Sequence, residues 1–316
     1  MKTARWLFTC AAFGAAAAFL PCACEETPTE EPAWEPPRFL GLWGTEGTGD
    51  GEFLAPTGAA VAPGGTVYVA DFSRHDVQYF TAAGSFLGRW GEYGDGDGEF
   101  QHPWGLAAAS DGTVYVADSH NHRVQYFTAD GNFLGKWGKA GGGDGRFDTP
   151  TGIAAAPNGN VYVVEAGETG RVQYFTPTGS FLGKWTGPEG GGLVGATYLA
   201  FAPGGNVVYV ADAGNDRIQF FTAAGAPLGG WGAEGLGPGE FRRPSGVAVE
   251  PGGRVYVTDT ANDRVQVFSP KGDFLGKWGG RGTNDRQFYG PGGVTAARDG
   301  TIYVVDRGND RVAYYR

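Results

Sequence analysis

The sequence predicts an all-β fold, a six-bladed β-propeller built from four-stranded antiparallel blades. One short phrase recurs six times, and its six tryptophans are spaced 46 to 48 residues apart. A strand-rich repeat of this length is typical of an array whose units bury their apolar faces against one another. The copies are FLGLWG (39–44), FLGRWG (86–91), FLGKWG (133–138), FLGKWT (181–186), PLGGWG (227–232) and FLGKWG (274–279).

The phase of the repeat predicts that the array closes into a ring. The first phrase, at 39–44, has no repeat text before it, and the last repeat ends at Arg316 before it reaches its own tryptophan. We therefore expect an N-terminal strand at 39–43 to complete the last blade. The propeller domain then spans residues 38–316.

Each repeat contains four strands, which we name a to d from the ring axis outward. In the unit that begins at Phe100, strand a is 106–109, strand b is VYVAD (114–118), strand c is VQYF (124–127) and strand d is FLGKW (133–137). Valine and tyrosine alternate with period two in strand b, which is the strand pattern. Glycine, aspartate, asparagine and proline stand at the turns, where special backbone angles are needed.

Several linked motifs of this frame resemble the NHL repeat family over about residues 38–316. The resemblance implies a propeller but no particular activity, since such propellers include binding modules, sensors and a few metal-dependent enzymes. The matching motifs are the entries FLAPTG (53–58), FQHPWG (100–105), FDTPTG (147–152) and FRRPSG (241–246), the VYVAD strand, and NHRVQ (121–125), NDRIQ (215–219), NDRVQ (262–266) and NDRVA (309–313).

Residues 1–24 are predicted to be an export signal. Lys2 and Arg5 provide a positively charged start, and 6–20 is apolar and rich in alanine. A transmembrane helix is the alternative, but the apolar run is shorter than the roughly 20 residues that a span needs. We therefore expect the protein to be exported.

Cys24 resembles the lipidated cysteine of a bacterial lipoprotein. Ala23 precedes it, and two glutamates follow it. The motif departs from the usual one because Pro21 stands three positions before the cysteine, where leucine is expected. The sequence favours a membrane-anchored lipoprotein of the bacterial cell envelope, and signal cleavage with simple secretion is the alternative.

Residues 25–37 are predicted to form an extended tether. They contain five glutamates and four prolines. Proline resists compaction and like charges repel one another, so such a segment stays extended. Behind a lipidated cysteine it would hold the propeller away from a membrane surface, which the protein would touch only through its lipid.

The charge balance argues against a nucleic-acid partner. The chain has 24 basic and 34 acidic residues, a net charge of −10. Without the two basic residues of 1–24, residues 25–316 carry 22 basic and 34 acidic side chains, a net charge of −12. Binding to nucleic acid relies on neutralising phosphates from a basic surface. Arg242, Arg243 and Arg254 would form only a small basic patch.

We expect ligands to bind on the ring face that carries the b–c loops and the d–a connectors. The a–b turns on the other face are nearly uniform, for example SDGT (110–113) and RDGT (298–301). The b–c loops and the entries to strand a vary more between blades. Variable loops on a rigid scaffold are the usual place for binding groups.

Residues repeated in every blade are interpreted as architecture. An acid ends each strand b and an arginine begins most c strands, so the pair is expected to brace the b–c loop through a charge-assisted hydrogen bond. The tyrosine of VYV and the tryptophan of FLGKW are interpreted as packing residues. The acids are Asp71, Asp118, Glu165, Asp212, Asp259 and Asp306, and the arginines are Arg123, Arg171, Arg217, Arg264 and Arg311.

The four histidines and one tryptophan depart from the repeat and are ligand-binding candidates. His75 and His122 share a repeat position with aspartates of other blades, so ordinary loop usage is the competing interpretation. His102 precedes Trp104, which stands where other blades have small residues. Trp104 is predicted to be either a ligand platform or a plug at the axis. His120 lies beside His122 in the b–c loop of blade two.

Four further candidates make the face asymmetric. Blade three has one extra residue in its b–c loop, EAGETGR, which contains Glu168. In blade four Tyr198 replaces the glycine of the strand-a entry. Arg242 and Arg243 precede the proline of blade five. Repeat drift alone is the alternative explanation.

Two classes of function compete. A binding scaffold for a protein, peptide or glycan is favoured because no nucleophile with a base and no phosphate loop is present, so we predict no catalytic residues. The alternative is a metal-dependent enzyme, since the amidating lyases, whose ring this one resembles, hold a metal with axial histidines. Here three of the four histidines belong to one blade, whereas axial ligation draws on several blades.

Acidic d–a connectors such as 91–100 suggest a calcium site. The connector at 235–241 has no aspartate, however, so glycine-rich turns explain these segments better. No cofactor is predicted, a metal stays open, and the oligomeric state is not set.

Overall fold

Six four-stranded antiparallel sheets make up the propeller in a computed structural model of the chain, and five of them are continuous meanders from strand a to strand d. The structure describes residues 34–166, 170–188 and 192–316. The predicted export signal, Cys24 and most of the predicted tether lie outside the described residues. The compact unit that contains the propeller is Pro36–Arg316.

The strands follow the repeat in chain order. The closing strand is β1 (Phe39–Trp43). Blades one to three comprise β2 (Pro56–Val61), β3 (Val67–Asp71), β4 (Asp76–Phe80), β5 (Phe86–Trp90), β6 (Pro103–Ala108), β7 (Val114–Asp118), β8 (Arg123–Phe127), β9 (Phe133–Trp137), β10 (Pro150–Ala155), β11 (Val161–Glu165), β12 (Arg171–Phe175) and β13 (Phe181–Trp185).

Blades four to six continue the pattern with shorter inner strands in two of them. Within the described residues, four b–c loops contain a short 3₁₀ turn, at Ser119–Asn121, Ala213–Asn215, Thr260–Asn262 and Arg307–Asn309. The strands are β14 (Leu199–Phe201), β15 (Val207–Asp212), β16 (Arg217–Thr222), β17 (Pro227–Trp231), β18 (Pro244–Val249), β19 (Val255–Asp259), β20 (Arg264–Phe268), β21 (Phe274–Gly279), β22 (Val294–Ala296), β23 (Ile302–Asp306) and β24 (Arg311–Tyr315).

The N-terminal strand closes the ring, as its phase predicted. β1 pairs antiparallel with β24, so blade six has the order β1-β24-β23-β22. Beyond the strand ends, Arg38 and Arg316 exchange two backbone hydrogen bonds of 2.7 and 2.8 Å. The interface of blade six with blade one, which we call the seam, is therefore made by both ends of the propeller.

In four of the six blades, the inner strand begins earlier than the sequence predicts, at the entry proline. In blade two, β6 starts at Pro103 rather than at residue 106, because Pro103 already faces Asp118 of strand b. The register then shifts between Pro103 and Leu106. This irregularity hides the start of the strand from a period-two reading of the sequence.

The repeated tryptophans and tyrosines fix each blade against the next. Trp90 at the end of β5 packs on Phe127 of blade two, with ring centroids 5.5 Å apart. The Tyr68 hydroxyl donates to the carbonyl oxygen of Ala129 in the next blade at 2.9 Å. Burial of such large aromatic surfaces drives blade packing. Their interpretation as packing residues is confirmed.

The inner strands approach so closely at the axis that glycine is required there. A Cβ on Gly105 would lie 2.4 Å from the carbonyl oxygen of Thr151 in the neighbouring blade. Backbone cannot yield at such a contact as a flexible side chain would. The glycine of the Pro-x-Gly entry thus sets the inner radius of the ring.

No helix among the described residues is long and apolar enough to cross a membrane.

Candidate functional site

The b–c loops are held by buried acid–arginine pairs. In blade two, Asp118 accepts the Gln101 N–H at 2.7 Å and pairs with the Nε of Arg123 at 2.6 Å. Arg123 also donates to carbonyl oxygens of the d–a connector. The predicted bracing is confirmed in blades two to six. In blade one, Arg74 stands two residues before the usual position and pairs with Asp76.

One position in the b–c loop adopts left-handed backbone and caps the next blade. Its φ is 61° at His75, 53° at His122 and 52° at Asp263. The side chain there accepts the N–H of the residue 27 positions later. The Nδ1 of His75 accepts from His102 at 3.1 Å, and Asp263 accepts from Gly290 at 2.7 Å. Histidine and aspartate therefore serve the same structural purpose at this position.

Three histidines gather in an aromatic cluster over blades one and two. The His102 ring lies 4.6 Å from that of His75 and 4.4 Å from that of His120, and it stacks on Phe72 at 4.1 Å. Burial lowers the pKa of His75 and of His120, and the nearby His102 lowers both further. The neutral forms of His75 and His120 are therefore favoured. His122 is outside the cluster and caps the Thr149 N–H.

The histidine cluster does not place three side chains as ligands of one metal ion. The Nδ1 of His75 accepts a backbone N–H, and the Nδ1 of His102 is 3.0 Å from the carbonyl oxygen of Phe72, so one nitrogen of each ring is engaged with the backbone. The described residues contain no group of three or more His, Cys, Asp or Glu side chains that could hold a metal ion. A three-ligand histidine site of the kind that catalytic zinc uses is thus not formed by them.

Tyr198 crosses the axis of the ring. It is 7% exposed, and its hydroxyl donates to the carbonyl oxygen of Trp104, two blades away, at 3.3 Å. Burial raises the pKa of this phenol. Tyr198 occupies the space that the missing entry glycine leaves, and it forms a floor beneath the b–c loop face.

A cavity of about 610 Å³ opens on that floor, on the face where ligands were expected. We call it the seam cavity, because blades five, six and one supply most of its wall. Neither the histidine cluster nor Arg242 and Arg243 lines it, whereas Trp104 and Tyr198 do. Its principal polar and aromatic lining residues are Trp104, Ser245, Asp263, Arg281, Tyr289, Arg307 and Asp310.

Asp310 is the most unusual group in the wall of the seam cavity. It occupies the left-handed capping position, with φ of 50°, but its Oδ1 is buried and has no hydrogen-bond partner in the described chain. In blade one, Ala55 occupies the repeat position of the capped residues, such as His102 in blade two. Its N–H donates to Asp71 at 3.1 Å and not to Asp310. Burial and the carboxylates of Glu46 and Asp71 raise the pKa of Asp310 to about 6.

Two arginines of the cavity are held by aromatic rings. The Cζ of Arg307 lies 5.4 Å from the Trp104 ring centroid and 5.7 Å from that of Phe72. The Cζ of Arg281 lies 4.8 Å from the centroid of Tyr289 at the exposed rim. Neither guanidinium has a hydrogen bond or ion pair with another described residue. Their N–H donors are thus available to an acceptor in the cavity.

The remaining candidates are placed as follows. Arg242 is exposed beside Glu234, and the Arg243 N–H is capped by Asp216, both outside the seam cavity. Glu168 lies outside the described residues. Of the predicted candidates, Trp104 and Tyr198 line the seam cavity, and Arg281, Arg307 and Asp310, which also line it, were not predicted. The repeat text offers no signal for Asp310, because the capped position in other blades holds residues as different as His102, Thr149 and Gly290.

Comparisons with known proteins agree with the repeat and the fold. Three segments match the NHL repeat, at 53–80, 100–127 and 241–268. No curated protein matches the chain by sequence. The chain is an all-β, six-bladed propeller with NHL-type repeats.

Solved propellers of low sequence identity resemble the chain. A gluconolactonase from Xanthomonas campestris is 16% identical with a TM-score of 0.64, over 90% of this chain and 96% of that one. A virginiamycin B lyase from Staphylococcus aureus is 15% identical with a TM-score of 0.56, over 82% and 94% of the two chains. A chain of a nidogen/laminin complex is 18% identical with a TM-score of 0.56, over 76% and 84%. At these identities the likeness shows the fold alone.

Proposed function

We propose that the protein is an exported, membrane-tethered propeller that binds a protein, peptide or glycan ligand on the face of its b–c loops and d–a connectors. The observation that carries this proposal is the seam cavity, where Trp104, Arg307 and Asp310 converge. Ligand pockets of about 300–1,000 Å³ with a few convergent polar groups are typical small-ligand sites. A nucleic-acid partner is not proposed, because the chain is acidic.

A binding test uses the purified protein and a panel of neutral and acidic oligosaccharides and short peptides. We expect at least one probe to raise the melting temperature in a saturable manner, because a ligand that binds only the folded state stabilises it. Trp104→Ala should abolish that shift, and Arg242→Ala, on the same face but outside the cavity, should retain it. An equal shift in the Trp104→Ala variant would remove the cavity from the proposal.

The metal-dependent alternative has weaker support. Gluconolactonase and virginiamycin B lyase resemble this propeller, but the described residues of this chain contain no group of three or more His, Cys, Asp or Glu side chains that could hold a metal ion. Elemental mass spectrometry of the dialysed protein is expected to find no metal in stoichiometric amount. One tightly held zinc or calcium per chain would favour the enzyme, and lyase and lactonase substrates would then be tested.

The proposed location at the cell envelope depends on Cys24. Cys24→Ala should release the protein from the membrane fraction, because a lipidated cysteine would be the only anchor. Cys22→Ala, two residues away, is the matched control and should stay with the membrane. Retention of the Cys24→Ala variant would contradict the lipid anchor, and release of the unaltered protein would indicate simple secretion.

A further inference from the structure

We propose that the seam cavity binds an acidic oligosaccharide, with the carboxylate of a uronic acid unit on Arg307 and sugar hydroxyls on Asp310. This inference rests on the proposed binding function and names its ligand class. It follows from three features of the cavity wall. The guanidinium groups of Arg307 and Arg281 have N–H donors available, a carboxylate oxygen of Asp310 has no donor, and an arginine already lies over each of two aromatic rings.

Arg307 supplies the donors. Its guanidinium is half-buried and is positioned by Trp104 and Phe72. It has no hydrogen bond or ion pair with an acid among the described residues, although its charge partly offsets the raised pKa of Asp310 in the same cavity. A guanidinium presents planar pairs of N–H groups that match the two oxygens of a carboxylate. The aromatic contacts orient the side chain before a ligand arrives, which reduces the entropy lost on binding.

Arg281 adds a second positive charge at the rim of the same cavity. It lies over Tyr289, which is 47% exposed. An exposed charge of this kind contributes mainly to attraction of the ligand and is screened by salt. The two arginines therefore select an anion inside a protein whose net charge is negative.

The acceptors in the wall require a ligand that also carries several donors. The buried Oδ1 of Asp310 has no partner in the described chain, and Asp263 uses only its Oδ1, on the Gly290 N–H. The Ser245 hydroxyl also lines the cavity. A buried acceptor without a donor is costly, so a ligand hydroxyl on Asp310 would restore a missing hydrogen bond. Sugar hydroxyls distributed around a ring supply such donors at several positions.

The aromatic residues distinguish an acidic sugar from other ligands. A neutral sugar or an apolar peptide side chain binds by stacking on an aromatic ring, but Arg307 occupies one face of Trp104 and Arg281 one face of Tyr289. The aliphatic lining consists of Leu54, Ala55 and Ala261, which offers little to a hydrophobic side chain. The wall thus favours a polyhydroxylated carboxylate over a peptide.

Isothermal titration calorimetry of the purified protein tests the inference with three probes: tri-galacturonic acid, the same trisaccharide with its carboxyl groups methyl-esterified, and tri-glutamate. We expect the free acid to bind and the ester to bind at least about tenfold more weakly, since a hydrogen bond to a charged group contributes about 1.5–3 kcal/mol. Arg307→Gln should weaken binding of the acid by a similar factor, and Arg242→Gln should leave it unchanged.

The outcomes separate this inference from the function on which it rests. Equal binding of acid and ester would overturn the role of the carboxylate, and preferential binding of tri-glutamate would overturn the glycan, with cavity binding intact in both cases. Failure of every oligosaccharide and peptide in the thermal-shift panel would remove the proposed function itself. If Arg307→Gln does not fold, the exposed Arg281→Gln variant takes its place, and unchanged binding there would count against the arginine-based site.

Discussion

Asp263 and Asp310 occupy the same position in consecutive b–c loops, yet only Asp263 caps the blade that follows. Their backbones are alike, with φ of 52° and 50°. The difference lies across the interface. Gly290 adopts left-handed backbone, with φ of 57°, and donates to Asp263, whereas Ala55 is not left-handed and donates to Asp71. Glycine enters this region without strain, but His102 and Arg243 also adopt it at the same position, with φ of 55° and 51°, so glycine is not required for the cap. The different backbone at Ala55 thus leaves the carboxylate of the opposite loop without its N–H donor.

The core of the seam resembles that of the interface between blades four and five. At the seam, Trp43 packs on Phe80 with ring centroids 6.0 Å apart, as Trp231 of blade four packs on Phe268 of blade five at 5.3 Å. The Tyr303 hydroxyl donates to the carbonyl oxygen of Ala82 at 2.9 Å, and Tyr209 makes the equivalent bond to Pro270 of blade five. Between blades five and six, Trp278 packs on Tyr315 at 5.3 Å, but the Tyr256 hydroxyl donates to Glu250 of its own blade. The seam therefore keeps a core that recurs in the ring and differs at its loop face. Repetition maintains the core, and the released cap provides a site.

The largest expected effect comes from opening the seam. Deleting residues 38–44 removes β1 and the buried Trp43, and leaves β24 as an exposed edge. Loss of several kcal/mol should lower the melting temperature by about 10 °C or more in calorimetry. Moving residues 38–44 to follow Arg316, through an Ala-Ala-Gly turn like that at 82–84, should restore the melting temperature. Wild-type melting of the deletion would contradict the closure.

The second largest effect is a difference in stability between variants of two acids in the b–c loop of blade six, Asp306 and Asp310. Asp306 is fully buried and pairs with the Nε of Arg311 at 2.7 Å, so Asp306→Ala leaves a buried arginine unpaired. We expect a loss of about 3–5 kcal/mol in urea unfolding. Asp310→Ala removes an acid without a partner and should change the unfolding free energy by no more than about 1 kcal/mol. Equal losses would mean that Asp310 has a structural role.

A third effect is the pH dependence of the seam. The pKa of Asp310 is about 6 in the folded protein, above its ordinary value of 3.8, so the folded state binds more protons between these values. Stability attributable to this group therefore falls as pH rises from about 4 to 6. The melting temperature of Asp310→Asn relative to the unaltered protein should rise across that range. A constant difference would show that the carboxyl titrates normally.

The smallest effect on stability is expected at the interface between blades one and two. His75→Asp replaces one capping acceptor by another that the same position uses in blades four and five. The unfolding free energy should change by less than about 1 kcal/mol. His75→Ala is the comparison variant and should lose about 1 kcal/mol more, because the His102 N–H then lacks its acceptor. A large loss in His75→Asp would give the histidine cluster a role of its own.

The sequence determined the fold through repetition. The spacing of the tryptophans fixed the number of blades, and the phase of 39–43 fixed the closure, because every copy must satisfy the same strand pairing and the same packing. The acid and arginine at fixed spacing likewise predicted the braces, because a pair that recurs from blade to blade serves the shared architecture, as Asp118 and Arg123 do in blade two.

The contents of the site were decided by the tertiary structure. Arg307 and Asp310 resemble loop residues of other blades, and Trp104 lies about 200 residues from them in the chain. Only ring closure brings them to one cavity, and only the backbone of Ala55 determines whether Asp310 accepts a hydrogen bond. A repeat sequence specifies the contacts that all copies share. Whether a polar group at one interface finds a hydrogen-bond partner depends on the backbones of two blades at once. That partner is therefore known only once the chain is folded.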